Sequence, residues 1–155
     1  MSLLHGKLEA YVGIRVAADL FHDIFSGRPH HISDMAPEKI KACAVHEGDW
    51  GKPGTVINWD YCHDGVAKVA KEVIEDIDDV NLSTTFKVIE GDLMKEYKNF
   101  KLVVQATPQS GGEWSLVHWT LEYEKLNEEI PEPFSLLQFV VHTSKDIDDH
   151  HTKKK

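Results

Sequence analysis

The spacing of hydrophobic residues changes along the chain, and each change predicts a different kind of element. Residues 3–12 partly alternate between polar and apolar, as a strand does, and apolar residues in 16–25 then recur at helical spacing. Gly27 is suited to end this helix, and Pro29 and Pro37 delimit a second short helix. The sequence therefore predicts one strand followed by a pair of short helices.

A meander of β-hairpins is predicted for the middle of the chain. Trp119, Leu121 and Tyr123 alternate with polar residues, so one face of their strand is apolar and aromatic. Turn sequences rich in glycine, aspartate and proline separate six strand-like runs. These runs are 38–47, 54–63, 66–78, 81–90, 97–107 and 113–126.

A C-terminal helix is the only later segment that can cover the apolar face of this sheet. Phe134, Leu137 and Val141 follow Pro133 at steps of three and four residues. From 148 onward the chain is polar, so we expect that end to fray. The predicted fold class is α+β: a curved, seven-stranded antiparallel sheet wrapped round a long C-terminal helix, with two short helices after strand 1. We expect residues 1–155 to form a single ligand-binding domain.

Charge and composition exclude several classes of partner. The formal net charge is −9 and the only basic block is 153–155, so nucleic acid is an unsuitable partner. No secretory signal or membrane-spanning stretch is apparent, which predicts a cytoplasmic protein without membrane insertion. A symmetric hairpin would place Cys43 opposite about residue 58, too far from Cys62 for a disulfide. We therefore expect two free thiols, as in a reducing compartment.

Four short stretches carry a resemblance that spans essentially the whole chain: residues 35–37, 47–55, 88–92 and 140–147. With the order of the elements, they resemble the major latex protein branch of the birch-pollen-allergen superfamily (Bet v I type, pathogenesis-related), which has the START-like helix-grip fold. The resemblance implies a large apolar cavity for a small hydrophobic ligand, and a role in plant defence and the response to biotic stimuli. Asp49-Trp50 and Lys52 interrupt the glycine run of the pollen-allergen branch, so ligand choice does not transfer between branches.

The apolar faces of the sheet and of the last helix are the predicted lining of this cavity. In an arbitrary sheet their aromatic residues would more often be packed core, but the resemblance favours ligand contact. Lys71 has the same period as Val69 and Val73, which assigns it to the inward face. It should then meet an acidic or carbonyl group of the ligand, unless a bulge in strand 66–78 lets it reach solvent. The candidate ligand-binding residues are Ile24, Trp59, Tyr61, Val69, Lys71, Phe86, Leu102, Trp119, Tyr123, Phe134, Leu137 and Val141.

Signals for phosphate, metal or acid-base chemistry are weak in this sequence. The loop Gly48–Gly54 lacks the order of a phosphate-binding loop and leads into a strand, which favours a plain hairpin loop. The ten histidines show no metal-ligand spacing. The acidic pairs in 75–79 and 148–149 are expected to be solvated surface. We therefore predict no catalytic residue, no cofactor and no metal.

Three functions remain open at this stage. The first is non-enzymatic binding or carriage of a lipid, steroid, phenolic or hormone-like metabolite. The second is a condensing-type enzyme on the same scaffold, in which Lys71 forms a Schiff base with a carbonyl substrate and Tyr61, His63 or Thr84 supplies a polar group. The third is a protein-interaction module in defence signalling that a ligand switches and whose protein partner is unknown.

Overall fold

One antiparallel sheet and one long helix make up most of the fold. A computed structural model describes residues 4–111 and 114–152 of the chain. The helices are α1 (Ala18–Gly27), α2 (Ile32–Met35) and α3 (Phe134–Thr152), with short 3-10 turns at Pro29–His31 and Asp92–Lys95. The strands are β1 (His5–Ile14), β2 (Ile40–Glu47), β3 (Val56–His63), β4 (Val66–Asp78), β5 (Ser83–Gly91), β6 (Tyr97–Pro108) and β7 (Ser115–Lys125).

The strand order across the sheet is β1-β7-β6-β5-β4-β3-β2, so the six later strands form a meander and β1 joins beside the last of them. All neighbouring strands are antiparallel. The predicted fold class is therefore confirmed, and each strand boundary lies within two residues of its predicted position. Residues 3 and 113 of the predicted strands lie outside the described residues.

The pairing of β4 with β5 is irregular at two points. The register shifts between Lys71 and Glu72 and again between Ile74 and Asp76, as it does at β-bulges. Gly91, which ends β5, has a φ of 120°, and a Cβ there would lie 2.4 Å from the carbonyl oxygen of Val69. Only glycine allows this close approach of two backbones. Such bulges increase local twist, which helps the sheet wrap round the helix.

The last helix covers the concave face of the sheet and is fixed at its far end by a buried carboxylate. Asp148 is 5% exposed and accepts hydrogen bonds from the backbone N–H groups of Arg15 (2.9 Å) and Val16 (3.0 Å). The guanidinium of Arg15 also donates to Asp148 at 3.1 Å and to Asp149 at 2.6 Å. Two expectations were therefore wrong: Asp148 is not solvated, and the helix continues to Thr152 instead of fraying at 148.

The loop between β2 and β3 is a hairpin loop, as predicted. The backbone N–H of Asp49 donates to the Thr55 hydroxyl, which in turn donates to the carbonyl oxygen of Asp49 at 2.7 Å. Gly48 adopts a φ of 105°, and a side chain there would collide with Thr55. Trp50 folds back and stacks on His30, with ring centroids 4.0 Å apart. The loop thus closes over the short helical segment.

The two cysteines are unpaired, which confirms the prediction of free thiols. Cys43 lies opposite Trp59 across the β2–β3 hairpin, one residue from the predicted position. None of the helices in the described part of the chain has the length and apolar character needed to cross a bilayer.

Candidate functional site

A cavity of about 80 Å³ lies between the concave face of the sheet and α3, and it is partly open to solvent. Every strand except β1, all three helices and the turn after β5 contribute to its wall. Apolar and aromatic side chains predominate in the lining. The lining residues are Phe25, Ile32, Ile40, Trp59, Tyr61, Ala70, Glu72, Phe86, Leu93, Leu102, Trp119, Leu136, Phe139, Val140 and Thr143.

Five of the twelve predicted binding residues lie in this wall. They are the inward aromatic and aliphatic residues of β3, β5, β6 and β7: Trp59, Tyr61, Phe86, Leu102 and Trp119. Ile24 and Tyr123 are buried, at 0% and 4% exposure, but belong to the packed core outside the cavity wall. That the five lining residues contact a ligand stays a prediction.

The prediction of which β4 residues point inward was wrong. Val69 is 52% exposed, and the ammonium of Lys71 lies 3.6 Å from the Glu90 carboxylate. The residues that face the interior are instead Ala70, Glu72 and Ile74. The sheet register explains this, because Ala70 pairs with Trp59 and Glu72 pairs with Ile57, and paired residues share a face.

The prediction also chose the wrong face of α3 as the one that covers the cavity. Phe134 is 59% exposed, and Leu137 and Val141 are half-buried outside the cavity wall. The cavity is covered instead by Leu136, Phe139, Val140 and Thr143. Both stripes recur at helical spacing, so periodicity alone does not select between them. The buried Asp148 contact at the far end of the helix is a constraint that the hydrophobic pattern does not contain.

Among the wall residues that sequence reasoning missed, Glu72 is the one with a carboxyl group. It is 7% exposed, and its Oε1 accepts a hydrogen bond of 2.8 Å from the indole N–H of Trp59. Burial raises the pKa of Glu72 to about 7, and the Trp59 hydrogen bond opposes that shift. The carboxyl is thus poised to change its charge near neutral pH. The alternation of Ala70, Glu72 and Ile74 was the available signal, but the glutamate itself argued for a solvent-facing position.

The other polar groups in the wall are largely occupied by bonds within the protein. The Trp119 indole donates to the Ser144 hydroxyl at 2.8 Å, and Ser144 donates to the Val140 carbonyl. The Thr143 hydroxyl donates to the Phe139 carbonyl at 2.8 Å. Burial and the nearby Glu72 raise the pKa of the Tyr61 phenol, which keeps it neutral at physiological pH.

The polar candidates for catalysis do not converge on the cavity. Lys71 lies on the outer face, and Thr84 is buried outside the cavity wall with no hydrogen-bond partner for its hydroxyl. His63 packs on Phe139, with ring centroids 5.4 Å apart, but is not part of the wall. Within residues 4–111 and 114–152, the titratable side chains that line the cavity are Glu72 and Tyr61, without a lysine or histidine beside them.

The segment before α3, residues 127–133, is held by several contacts. Glu132 accepts hydrogen bonds from the Tyr123 hydroxyl and from the Lys125 ammonium, the latter at 2.5 Å. The Tyr97 hydroxyl donates to the carbonyl oxygen of Pro131 at 3.0 Å. Tyr123 therefore anchors the entry to the helix instead of facing the cavity.

Comparison with known proteins gives a consistent family assignment. A family model described as the pathogenesis-related protein Bet v 1 family matches residues 3–154. MLP-like protein 28 of Arabidopsis thaliana is 56% identical over 149 residues, which cover 96% of this chain but only 44% of that protein. MLP-like protein 31 of the same plant is 52% identical, with 96% of this chain and 87% of the relative covered.

Solved structures give the same fold. The crystal structure of major latex-like protein 151 from Panax ginseng has a TM-score of 0.92 at 44% identity and covers 96% of this chain and 99% of its own. Norcoclaurine synthase from Thalictrum flavum, solved with dopamine and hydroxybenzaldehyde, has a TM-score of 0.74 at 18% identity, covering 97% of this chain and 90% of its own. At that identity the likeness concerns the fold alone.

Proposed function

Because this chain belongs to the pathogenesis-related protein Bet v 1 family, we propose that it binds a small hydrophobic molecule in the cavity beneath α3 and releases it chemically unchanged. The observation that carries this proposal is the wall itself, in which apolar and aromatic side chains from the sheet and from α3 surround empty space. Empty apolar space in a protein interior forgoes contacts that a ligand can supply.

Among the described residues of the wall, no acid, base and nucleophile stand together, which supports binding over catalysis. Catalysis by proton transfer needs groups within hydrogen-bond reach of one another and of the substrate. In the cavity wall the Glu72 carboxylate accepts a hydrogen bond from the Trp59 indole. The Tyr61 phenol stays neutral because burial raises its pKa. The outward position of Lys71 removes the amine on which the Schiff-base alternative depended.

Ligand entry requires the cavity to widen. Its volume of about 80 Å³ is well below the ~300–1,000 Å³ typical of pockets that enclose drug-sized molecules. A steroid or long-chain lipid therefore displaces wall residues or extends through the open side. We expect binding to be accompanied by a shift of α3, which contributes Leu136, Phe139, Val140 and Thr143 to the wall.

Titration with an uncharged fluorescent probe, N-phenyl-1-naphthylamine, followed by displacement with lipids, steroids and flavonoids, tests the proposal. Trp59 and Trp119 lie in the wall, so binding should also quench tryptophan emission. Ala70→Leu adds volume to the wall and should weaken the probe, whereas Val69→Leu on the outer face of the same strand should not. Probe binding that neither competitors nor Ala70→Leu reduces would place the probe elsewhere and remove the support for a cavity ligand.

The proposals for location and physiological role are supported by the family match alone. We propose binding in the cytoplasm as part of a defence or stress response, on the basis of the family match and the similarity to MLP-like proteins. The chain spans about half the length of MLP-like protein 28, so the role of that whole protein is not carried over. Imaging of a fluorescent fusion in plant cells, with and without pathogen challenge, tests both points; exclusion from the cytoplasm would contradict the first.

A further inference from the structure

Glu72 is a carboxyl group built into a wall that is otherwise apolar and aromatic. Its side chain is buried, one oxygen is held by Trp59 at 2.8 Å, and the residue lines the cavity. The residues next to it on the same face, Ala70 and Ile74, are both apolar. A buried polar group of this kind is costly unless a partner satisfies it.

The described residues supply no positively charged partner to this carboxyl. None of the ion pairs found across residues 4–111 and 114–152 includes Glu72. The adjacent Lys71 points to the other face, toward Glu90. The titratable groups around Glu72 are the Cys43 thiol of β2 and the Tyr61 phenol of β3, and burial raises the pKa of each, so both stay neutral. From α3, the wall residues are uncharged.

A ligand can supply the missing charge, and the surroundings favour a cation. The rings of Trp59, Tyr61, Phe86 and Trp119 line the same cavity, and aromatic faces attract ammonium groups. The net charge of −9 produces a negative field that raises the local concentration of cations. An anionic head group would instead meet repulsion from both the field and the ionised form of Glu72.

We propose that the cavity selects ligands in which an apolar body carries one protonated amine, and that Glu72 binds that amine. This inference rests on the proposed function, because it assigns a ligand class to the same cavity. Trp59 acts as a positioning residue, since its indole N–H occupies one carboxylate oxygen and leaves the other for the ligand. Such a ligand neutralises the carboxylate while its apolar part fills the aromatic wall.

Three probe molecules with nearly the same carbon skeleton distinguish the contribution of the amine from that of other head groups. Phenethylamine, 2-phenylethanol and phenylacetate carry a cation, a neutral hydroxyl and an anion on nearly the same phenyl body. Their affinities are measured by calorimetry on the whole chain at pH 8. We expect phenethylamine to bind about 30-fold more tightly than 2-phenylethanol, as for a desolvated charge pair, and phenylacetate to bind most weakly.

Glu72→Gln removes the charge and keeps an oxygen for the Trp59 bond. This variant should bind phenethylamine no better than 2-phenylethanol, while its affinity for 2-phenylethanol stays within about threefold of the wild type. Glu75→Gln is the matched control, because it removes a charge from the outer face of the same strand, where Glu75 pairs with Lys101 at 3.0 Å. It should leave all three affinities unchanged.

The pH dependence adds a readout independent of the variant. Phenethylamine stays protonated between pH 5.5 and 8, whereas the Glu72 carboxylate becomes protonated as the pH falls through that range. The preference of the wild type for phenethylamine over 2-phenylethanol should therefore decline as the pH falls. In Glu72→Gln the ratio of the two affinities should not change with pH. Equal affinity for the alcohol and the amine, or an amine preference that survives Glu72→Gln, would overturn the inference and leave the proposed function standing. Failure of all three probes, with no displacement of the fluorescent probe, would overturn both.

Discussion

Glu72→Gln should make the free protein more stable above neutral pH. Folding buries this carboxyl and raises its pKa from the ordinary value of 4.5 to about 7. The folded state therefore holds a proton that the unfolded state has lost between these two values, so the free energy of unfolding falls as the pH rises through that window. Below the unfolded pKa both states are protonated and the effect is absent.

The size of the effect follows from the shift. Each pKa unit corresponds to about 1.4 kcal/mol, so the wild type should lose on the order of 3 kcal/mol from this residue between pH 4 and pH 8. A glutamine does not ionise, and it preserves an acceptor for the Trp59 indole. The difference in stability between Glu72→Gln and the wild type should therefore grow by about that amount across the window and then level off.

Urea denaturation at half-unit steps of pH, followed by far-ultraviolet circular dichroism, measures this difference. Other carboxylates complicate the wild-type curve, because hydrogen bonds lower the pKa of Asp78, Asp92 and Glu132 and make them destabilising in acid. They are common to both proteins and cancel in the comparison. Glu75→Gln supplies the control for general charge loss and should run parallel to the wild type. A constant offset between Glu72→Gln and the wild type from pH 4 to pH 8 would refute the buried-carboxyl account.

Two further substitutions test the backbone features of the fold, each by urea denaturation at pH 7. Asp148→Ala leaves the backbone N–H groups of Arg15 and Val16 without their acceptor and should cost about 2–3 kcal/mol. Asp149→Ala removes an ion pair with Arg15 in which both side chains are exposed, and it should cost less. Equal losses would contradict the anchoring role of Asp148. Gly91→Ala adds a Cβ 2.4 Å from a backbone oxygen, whereas nothing lies within 4 Å of a Cβ added at Gly65. Gly91→Ala should therefore lower the free energy of unfolding more than Gly65→Ala does. A similar decrease in both variants would show that the backbone moves to relieve the collision.

The strands and their order were predictable because most strands have one apolar face and one polar face. In β7 the inward Trp119, Leu121 and Tyr123 alternate with polar residues, and the neighbouring strands show the same contrast. Glycine and aspartate at the turns mark where each hairpin closes. Long-range pairing of β1 with β7 was not in the pattern itself and came from the family resemblance.

The prediction of the site failed where both faces of an element look alike. β4 carries alanine and valine on either face, with lysine and glutamate among them, so its orientation depends on pairing with β3 and on two bulges. In α3, two adjacent stripes are apolar, and a contact with Arg15 and Val16 helps to fix the rotation of the helix. The rule that places charged residues in solvent hid both Glu72 and Asp148, whose burial depends on partners distant in sequence.

The contact between Asp148 and the residues after β1 has a consequence for how the chain is made. Its two sides are separated by more than 130 positions, and β1 pairs only with β7, so the first strand emerges from the ribosome long before its partners exist. The apolar face of the growing sheet then stays uncovered until the final helix has been translated. During that interval the nascent chain is open to aggregation and to capture by chaperones. Deletion of residues 148–152 should therefore reduce the yield of folded protein more than the small size of the deletion suggests.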